Sequence, residues 1–181
     1  MLVEQLQKNK YTELRRSDML KERNKRTQMP NTYTQLYIQI VFAVKGREHF
    51  IKEPFREELQ KYMTGIVNNK KQKLYAIYCM PDHTHLFVSM KPDLSVSDLT
   101  RDVKANSSSF LKEKKFVPEL FSWQEGFGAF SYSKSQSSAV VNYILKQPEH
   151  HQQKTFRQEY LEFLEKFEVD YNENYLFKFY D

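Results

Sequence analysis

Four short runs along the chain predict β-strands, and two of them, 32–44 and 83–90, alternate between hydrophobic and polar residues as half-buried strands do. The first run, residues 32–44, has apolar side chains on one face and tyrosines and glutamines on the other. The apolar positions are Leu36, Ile38, Ile40, Phe42 and Val44, and the opposite positions are Tyr33, Gln35, Tyr37 and Gln39. Further runs at 74–80 and 83–90 flank Pro81 and Asp82, which predict a tight turn and hence a hairpin. A fourth strand is predicted at about 129–133.

Between these runs, apolar residues recur at helical spacing. The segments 53–69 and 96–115 each carry one apolar stripe, and two more helices are predicted at 137–147 and 155–167. Pro148 disfavours helical geometry in the residue before it, so the third helix should kink or end at Gln147. The order strand, helix, strand, strand, helix, strand predicts an α+β fold of the ferredoxin-like type. This is an antiparallel sheet with two helices on one face and the 137–147 helix near the other.

Basic residues are concentrated near the N-terminus. The chain has 28 Lys and Arg against 23 Asp and Glu, a net charge of +5, and most of the surplus lies in residues 1–30. We interpret residues 1–30 as a charged extension, helical or disordered, and 31–181 as one folded domain with an aromatic tail at 175–180. Within that domain the segment 45–115 is basic and the segment 116–181 is acidic. This asymmetry permits a polyanionic partner without demanding one.

Cysteine usage and hydropathy restrict the cellular setting. The single cysteine, Cys79, excludes a disulfide framework and a thiolate zinc site, and it agrees with a reducing cytoplasm. We find no signal peptide and no apolar run of about eighteen residues. We therefore expect a soluble cytoplasmic protein with no membrane partner.

Two histidines one residue apart are the first candidates for chemistry. Because side chains alternate along a strand, His83 and His85 share its polar face and lie close enough to bind one cation. A pair of this kind, taken alone, is more often hydrogen-bonded structure than a metal site. Asp82 could orient one of the imidazoles or could simply form the turn.

Tyr143 and Gln147 lie four residues apart and so share one face of a helix. A phenol titrates at about pH 10 and attacks poorly unless its target is made strongly electrophilic. A divalent cation on a phosphate oxygen does this, and two imidazoles with an amide oxygen can hold such a cation. These ligands favour Mg²⁺ or Mn²⁺ over metals that prefer thiolates. The sequence therefore predicts a metal site, formed by His83, His85 and Gln147, beside the nucleophilic Tyr143.

The segment Pro-Asp-His-Thr-His-Leu-Phe-Val, which begins at Pro81, resembles the motif of the single-tyrosine HUH transposases (histidine, bulky residue, histidine) of small insertion sequences. Segments that begin at Trp123 and Val141 are similar to the same family, as is the opening run from Tyr33. The family includes the REP-associated tyrosine transposases, and the resemblance covers about residues 31–179. Thr84 is smaller than the usual middle residue, and residues 1–28 have no counterpart that we recognise.

The resemblance implies a ferredoxin-like homodimer that cleaves and rejoins hairpin-ended single-stranded DNA with a divalent metal ion. Cleavage would leave a 5′-phosphotyrosine and a free 3′-hydroxyl. Carried onto this sequence, the resemblance makes His83, His85 and Gln147 the metal ligands and Tyr143 the nucleophile. It also implies that the tyrosine helix commonly completes the site of the other subunit.

Four cationic side chains recur along one stripe of the predicted helix 96–115: Arg101, Lys104, Lys112 and Lys115. They could line a track for DNA phosphates, although a solvated helix face has the same pattern. We expect DNA contact because no acid interrupts the stripe. Three aromatic side chains could stack on unpaired bases, namely Tyr33, Tyr37 and Trp123. Packing at the edge of the hydrophobic core is at least as frequent a role for such side chains. His150 and His151 are expected to be surface residues and not ligands.

The leading hypothesis from the sequence is therefore a transposase. One alternative is a domesticated relative that processes genomic hairpin repeats without moving itself. Another is a non-catalytic nucleic-acid-binding regulator. A third is a metal hydrolase that uses water, which would not need Tyr143.

Overall fold

Four antiparallel strands form the central sheet. The computed structural model describes residues 32–173 and 176–177, apart from the side chain of Arg47. Strands β1 (Leu36–Ala43), β2 (Lys73–Cys79), β3 (His83–Met90) and β4 (Gly128–Tyr132) lie in the order β2-β3-β1-β4. Every neighbouring pair is antiparallel. This order confirms the predicted ferredoxin-like arrangement.

The helices form a layer on each face of the sheet. They are α1 (Glu53–Asn69), α2 (Val96–Glu113), α3 (Ser137–Leu145), α4 (Gln147–His150) and α5 (Phe156–Lys166). α1 and α2 pack on the face that carries Ile40, Phe42 and Leu86. On the opposite face, α3 packs against Phe87, and α5 packs against Phe130. The position of α3 agrees with the sequence, whereas the position of α5 had not been predicted.

Several elements are shorter than their sequence pattern. β1 begins at Leu36 and not at residue 32, because β3 ends at Met90, opposite Leu36. α2 ends at Glu113, since Lys115 adopts a left-handed φ of 57°. α5 spans Phe156–Lys166 rather than 155–167, because Thr155 is its N-cap residue.

The tyrosine helix breaks earlier than predicted. It ends at Leu145, and Lys146 leaves helical geometry with φ −96° and ψ 19°. Gln147 then begins the separate turn α4, with Pro148 in its first turn. Pro148 has no N–H to donate to the carbonyl of Ile144, and its ring crowds that carbonyl, which explains a break here, although it falls one residue earlier than expected.

Two predicted segments lie outside the described residues: the charged extension at 1–30 and most of the aromatic tail at 175–180. No helix in the described part of the chain is long and apolar enough to cross a membrane.

Two of the three aromatic residues considered for base stacking belong to the core. Trp123 is 7% exposed, and its Nε1 donates to Oγ of Ser107 at 2.9 Å. Tyr37 is also 7% exposed and packs against Phe87. Only Tyr33, 95% exposed, is free to contact a base without a change in the core.

Gly128 lets α5 approach the sheet closely. A Cβ atom at this position would lie 2.8 Å from Cε2 and 2.9 Å from Oη of Tyr160. Such contacts are closer than van der Waals packing allows. Because Tyr160 belongs to α5, the absence of a side chain at Gly128 helps to fix where that helix lies.

We predict that Gly128→Ala lowers the free energy of unfolding by about 1–3 kcal/mol, because the added methyl group forces Tyr160 and α5 outward. Urea denaturation measures the effect. Gly65→Ala is the matched control, since nothing lies within 4 Å of a Cβ there and residue 65 is inside α1. That control should gain about 0.5–1 kcal/mol from helix propensity. Equal stability of Gly128→Ala and the wild type would show that the close approach does not matter.

Candidate active site

The two histidines of β3 lie side by side on the face covered by α3 and α5. Both are buried, and their ring centroids are 5.1 Å apart. Nδ1 of His83 donates to Oδ1 of Asp82 at 2.7 Å, so Asp82 orients this imidazole as well as forming the turn. Nδ1 of His85 accepts from Nε2 of Gln39 at 3.1 Å, and Oη of Tyr132 donates to Oε1 of Gln39 at 2.9 Å. Both Nε2 atoms are buried without a hydrogen-bond partner among the described residues.

Tyr143 and Gln147 face these histidines from α3 and α4. Gln147 is fully buried, and its Nε2 donates to Oε1 of Glu159 at 2.7 Å. Oη of Tyr143 donates to the same carboxylate oxygen. The ring of Tyr143 lies 6.3 Å from that of His85, centroid to centroid. The four residues singled out in the sequence therefore converge within one chain, even though a helix break separates Tyr143 from Gln147.

Glu159 is the residue at the centre of the site that the sequence analysis missed. It is 2% exposed, and its Oε2 lies 3.4 Å from Nε2 of His85 and 3.9 Å from Nε2 of His83. A signal for it exists in the sequence. Phe156, Glu159, Tyr160 and Phe163 fall at positions i, i+3, i+4 and i+7, so a carboxylate interrupts the buried stripe of α5.

His151 also turns inward, so its assignment to the surface was wrong. Its side chain is 11% exposed, and Nε2 lies 3.2 Å from Oε2 of Glu159. Its Nδ1 donates to the carbonyl oxygen of Lys154 at 2.9 Å. His150 is more exposed, at 28%, and its Nε2 lies 3.5 Å from Oη of Tyr143.

Burial and charge set the protonation of the cluster. Burial lowers the pKa of His83 to about 4, despite the opposing effect of the Asp82 carboxylate. Burial raises the pKa of Glu159, but the imidazoles of His85, His151 and His83 outweigh this and hold the pKa below its ordinary value. Burial and the nearby Glu159 carboxylate raise the pKa of Tyr143 above its ordinary value. The phenol is therefore protonated, and the His83 imidazole is neutral at physiological pH.

These donors fit a divalent metal ion. One nitrogen each from His83 and His85 and one oxygen from Glu159 all lie within 4.8 Å of one another. Oε2 of Glu159 and Oε1 of Gln147 are buried without a hydrogen-bond partner among the described residues, as are both Nε2 atoms. Buried polar atoms normally have partners, so a group of unpaired polar atoms around one point, a carboxylate oxygen among them, fits a bound cation.

Two cavities that share no lining residue reach the cluster. One, of about 390 Å³, is lined by Tyr132, Tyr143 and Glu159. The other, of about 570 Å³, is lined by His83, His151 and Arg157. A ligand can therefore approach the phenol of Tyr143 and the imidazole of His83 by separate routes.

The predicted basic stripe lies on the other side of the sheet from the histidines, because α2 packs on the opposite face. Arg101 is exposed and pairs with Asp98 at 2.7 Å. Nζ of Lys104 donates to the carbonyl oxygens of Gln124 and Gly126, at 2.6 and 2.8 Å. Lys112 is half-buried and Lys115 exposed. The structure does not bring these four cations beside Tyr143, and any role in DNA binding would use a separate surface.

The fold and the arrangement of two histidines, a tyrosine and a glutamine are those expected of a single-tyrosine transposase. Residues 32–147 match the family model described as IS200-like transposase, and the chain belongs to this family.

Individual relatives agree with this assignment. The ISDra2 transposase TnpA of Deinococcus radiodurans is 23% identical over 120 residues, which cover 62% of this chain and 84% of the relative. A crystal structure from Deinococcus radiodurans assigned as a transposase has a TM-score of 0.51 and 19% identity, covering 66% of this chain and 96% of that one. A REP-associated tyrosine transposase bound to a REP hairpin has a TM-score of 0.52 and 15% identity, covering 68% and 73%. These structures support the fold.

We predict that acid destabilises the metal-free protein through His83. The pKa of His83 is about 4 in the folded protein and 6.5 ordinarily, so the unfolded chain binds a proton more readily. Its contribution to stability is thus complete above about pH 6.5 and is lost as the pH falls towards 4. Urea denaturation in the presence of EDTA should show a decrease of up to about 1.4 kcal/mol per pH unit between pH 6.5 and 5. His83→Asn should have a shallower decrease, and an identical slope in the two proteins would contradict this origin.

Proposed function

We propose that this transposase cleaves and rejoins single-stranded DNA at hairpin-ended elements through a 5′-phosphotyrosine on Tyr143. In this proposal His83, His85 and Gln147 hold a divalent metal ion. The observation that carries it is the convergence of these residues on one buried point, with unpaired polar atoms on both histidines and on the glutamine. A non-catalytic regulator would have no need for such a cluster of unpaired buried atoms.

The cleavage step uses the hydroxyl of Tyr143. Its oxygen attacks the phosphorus of a phosphodiester, a new O–P bond forms, and the bond from phosphorus to the 3′ oxygen breaks. One DNA end then carries a 3′-hydroxyl, which takes a proton from solvent, and the other is joined to Tyr143. Oη of Tyr143 already donates to Oε1 of Glu159, so this carboxylate is placed to accept the phenolic proton. Rejoining is the reverse reaction with a new 3′-hydroxyl.

The other residues of the cluster position these groups. Asp82 and Gln39 hold the two imidazoles in place, and Gln147 ties α4 to Glu159. A bound divalent ion would polarise the phosphate and neutralise charge in the transition state. The phenol needs such help because its raised pKa makes it a weak nucleophile.

The DNA partner and the oligomeric state belong to the same proposal. A solved relative is bound to a REP hairpin, which supports hairpin DNA as the class of ligand here. The exposed cations of α2 would contact phosphates outside the reacting centre. A homodimer stays a prediction, and the convergence of Tyr143 with the histidines of its own chain is compatible with action within one subunit.

We predict that Tyr143→Phe abolishes covalent attachment to DNA, because it removes the attacking oxygen. The protein is incubated with labelled, hairpin-ended single strands and Mn²⁺ or Mg²⁺, and adducts are resolved by denaturing electrophoresis. Tyr62→Phe is the control, since Tyr62 lies on α1, in the layer opposite the site. It should form the adduct as the wild type does.

Peptide mapping completes this experiment. An adduct that persists in Tyr143→Phe and maps to another tyrosine would overturn the assignment of the nucleophile. Cleavage that continues in this variant without any adduct would instead identify a metal hydrolase that uses water.

We predict that binding and cleavage can be separated. Replacing Arg101, Lys112 and Lys115 by Gln should weaken the binding of single-stranded DNA. The slope of log affinity against log salt concentration should become shallower by at most about one unit per lost phosphate contact. Tyr143→Phe should leave that slope unchanged. Fluorescence anisotropy at several salt concentrations measures it, with Lys61→Gln on exposed α1 surface as the matched control. An unchanged slope in the triple variant would make this stripe an ordinary solvated helix face.

A further inference from the structure

Two groups at the metal site lie outside the segment that defines the family. The family match ends at residue 147. His151, the C-cap residue of α4, and Glu159, in α5, both lie beyond this point. Both point their free atoms at the site. Nε2 of His151 and Oε2 of Glu159 are buried and have no hydrogen-bond partner among the described residues.

Resting on the proposed function, we propose that His151 and Glu159 are ligands of the same metal ion, alongside His83 and His85. The centre is then a set of three imidazoles and one carboxylate, with the amide oxygen of Gln147 nearby. Such a set binds a first-row transition metal in preference to Mg²⁺.

The hydrogen bonds around His151 fix which of its nitrogens is free. A carbonyl oxygen can only accept, so the Nδ1 that contacts Lys154 carries the proton. In the neutral ring Nε2 then bears a lone pair, and it lies 3.2 Å from Oε2 of Glu159. An imidazole lone pair and a carboxylate oxygen repel at this distance unless a proton or a metal cation lies between them.

The same reasoning applies to His83. Its Nδ1 donates to the carboxylate of Asp82, which leaves the lone pair on the Nε2 that faces Oε2 of Glu159 at 3.9 Å. Oε2 is therefore the point on which the imidazoles of His83 and His151 converge. The other carboxylate oxygen, Oε1, already accepts hydrogen bonds from Tyr143 and Gln147.

Packing holds these donors in place. Phe156 of α5 stacks on the ring of His83, with 4.1 Å between centroids and an interplanar angle of 19°. The rings of His83 and His151 are 4.7 Å apart, centroid to centroid. Because the side chains are held before any ion binds, little ordering is required of the protein on binding.

The ligand types predict the metal preference. Imidazole suits Zn²⁺ and other transition metals, whereas Mg²⁺ prefers oxygen ligands and retains several waters. For nitrogen-rich sites the affinity rises from Mn²⁺ to Zn²⁺. We therefore expect Zn²⁺ to bind more tightly than Mn²⁺, and Mn²⁺ more tightly than Mg²⁺.

Isothermal titration of EDTA-treated, full-length protein with Zn²⁺, Mn²⁺ and Mg²⁺ tests the proposal without DNA or turnover. Glu159→Gln should lower the affinity for Zn²⁺ and Mn²⁺ at least about tenfold, because it removes a charged ligand and keeps the shape. His151→Gln should lower the Zn²⁺ affinity at least about tenfold and change the Mg²⁺ affinity by less than about threefold. The absorption spectrum of bound Co²⁺ should change in both variants.

The control replaces a residue of the same type away from the site. Glu165 lies on the exposed side of α5, and Glu165→Gln should not alter metal affinity. Circular dichroism establishes that each variant is folded. Because His151 is less buried than Glu159, His151→Gln keeps the test open if Glu159→Gln does not fold.

The outcomes separate this inference from the proposed function. Unchanged Zn²⁺ affinity in both Glu159→Gln and His151→Gln, with loss in His83→Ala, would overturn the extended ligand set and leave the histidine pair as the metal site. Loss of DNA adducts with unchanged metal affinities in Tyr143→Phe would support the proposed function independently. A wild type that binds Mg²⁺ as tightly as Zn²⁺ would overturn the metal preference.

Discussion

The buried carboxylate of Glu159 is the group around which one face of the sheet is organised. An ionised carboxylate away from water is costly unless charges and hydrogen bonds compensate it. Here Tyr143 of α3 and Gln147 of α4 donate hydrogen bonds to the carboxylate, and His83 and His85 of β3 face it. Since each element reaches the same side chain, the relative positions of β3, α3, α4 and α5 are coupled. This coupling adds to the apolar contacts that α3 and α5 make with Phe87 and Phe130 on the same face.

Most of the fold and half of the site follow from local patterns in the sequence. Alternation over 83–90 was enough to place His83 and His85 together, because neighbouring positions on one strand face need no knowledge of the rest of the chain. The convergence of Tyr143 came from the resemblance and from chemical reasoning. Glu159 was not predicted because its role depends on how α5 packs against the sheet, and the periodicity of apolar residues does not specify this packing. The carboxylate within the apolar stripe of α5 was the available signal.

The two faces of the sheet carry different kinds of side chain. On one, α1 and α2 enclose an apolar core and expose cations such as Arg101 to solvent. On the other, polar atoms are buried under α3 and α5. Lys104 shows why a basic pattern alone does not define a binding surface. Its ammonium group holds the loop at Gln124 and Gly126 in place, which the sequence cannot distinguish from a phosphate contact.

The hydrogen-bond chain from Tyr132 through Gln39 to His85 connects the candidate metal site to the sheet. Gln39 donates to Nδ1 of His85, so the proton of that ring resides on the Nε2 that faces Glu159. Coordination of a metal ion through Nε2 of His85 would require the proton to move to Nδ1. Gln39 could accept a hydrogen bond from Nδ1 only after its side-chain amide had flipped by 180°. Tyr132, which now donates to Gln39, would then have to accept. Metal binding would therefore reverse the direction of the hydrogen bonds that run from His85 through Gln39 to Tyr132, whose hydroxyl group lines the cavity beside Tyr143.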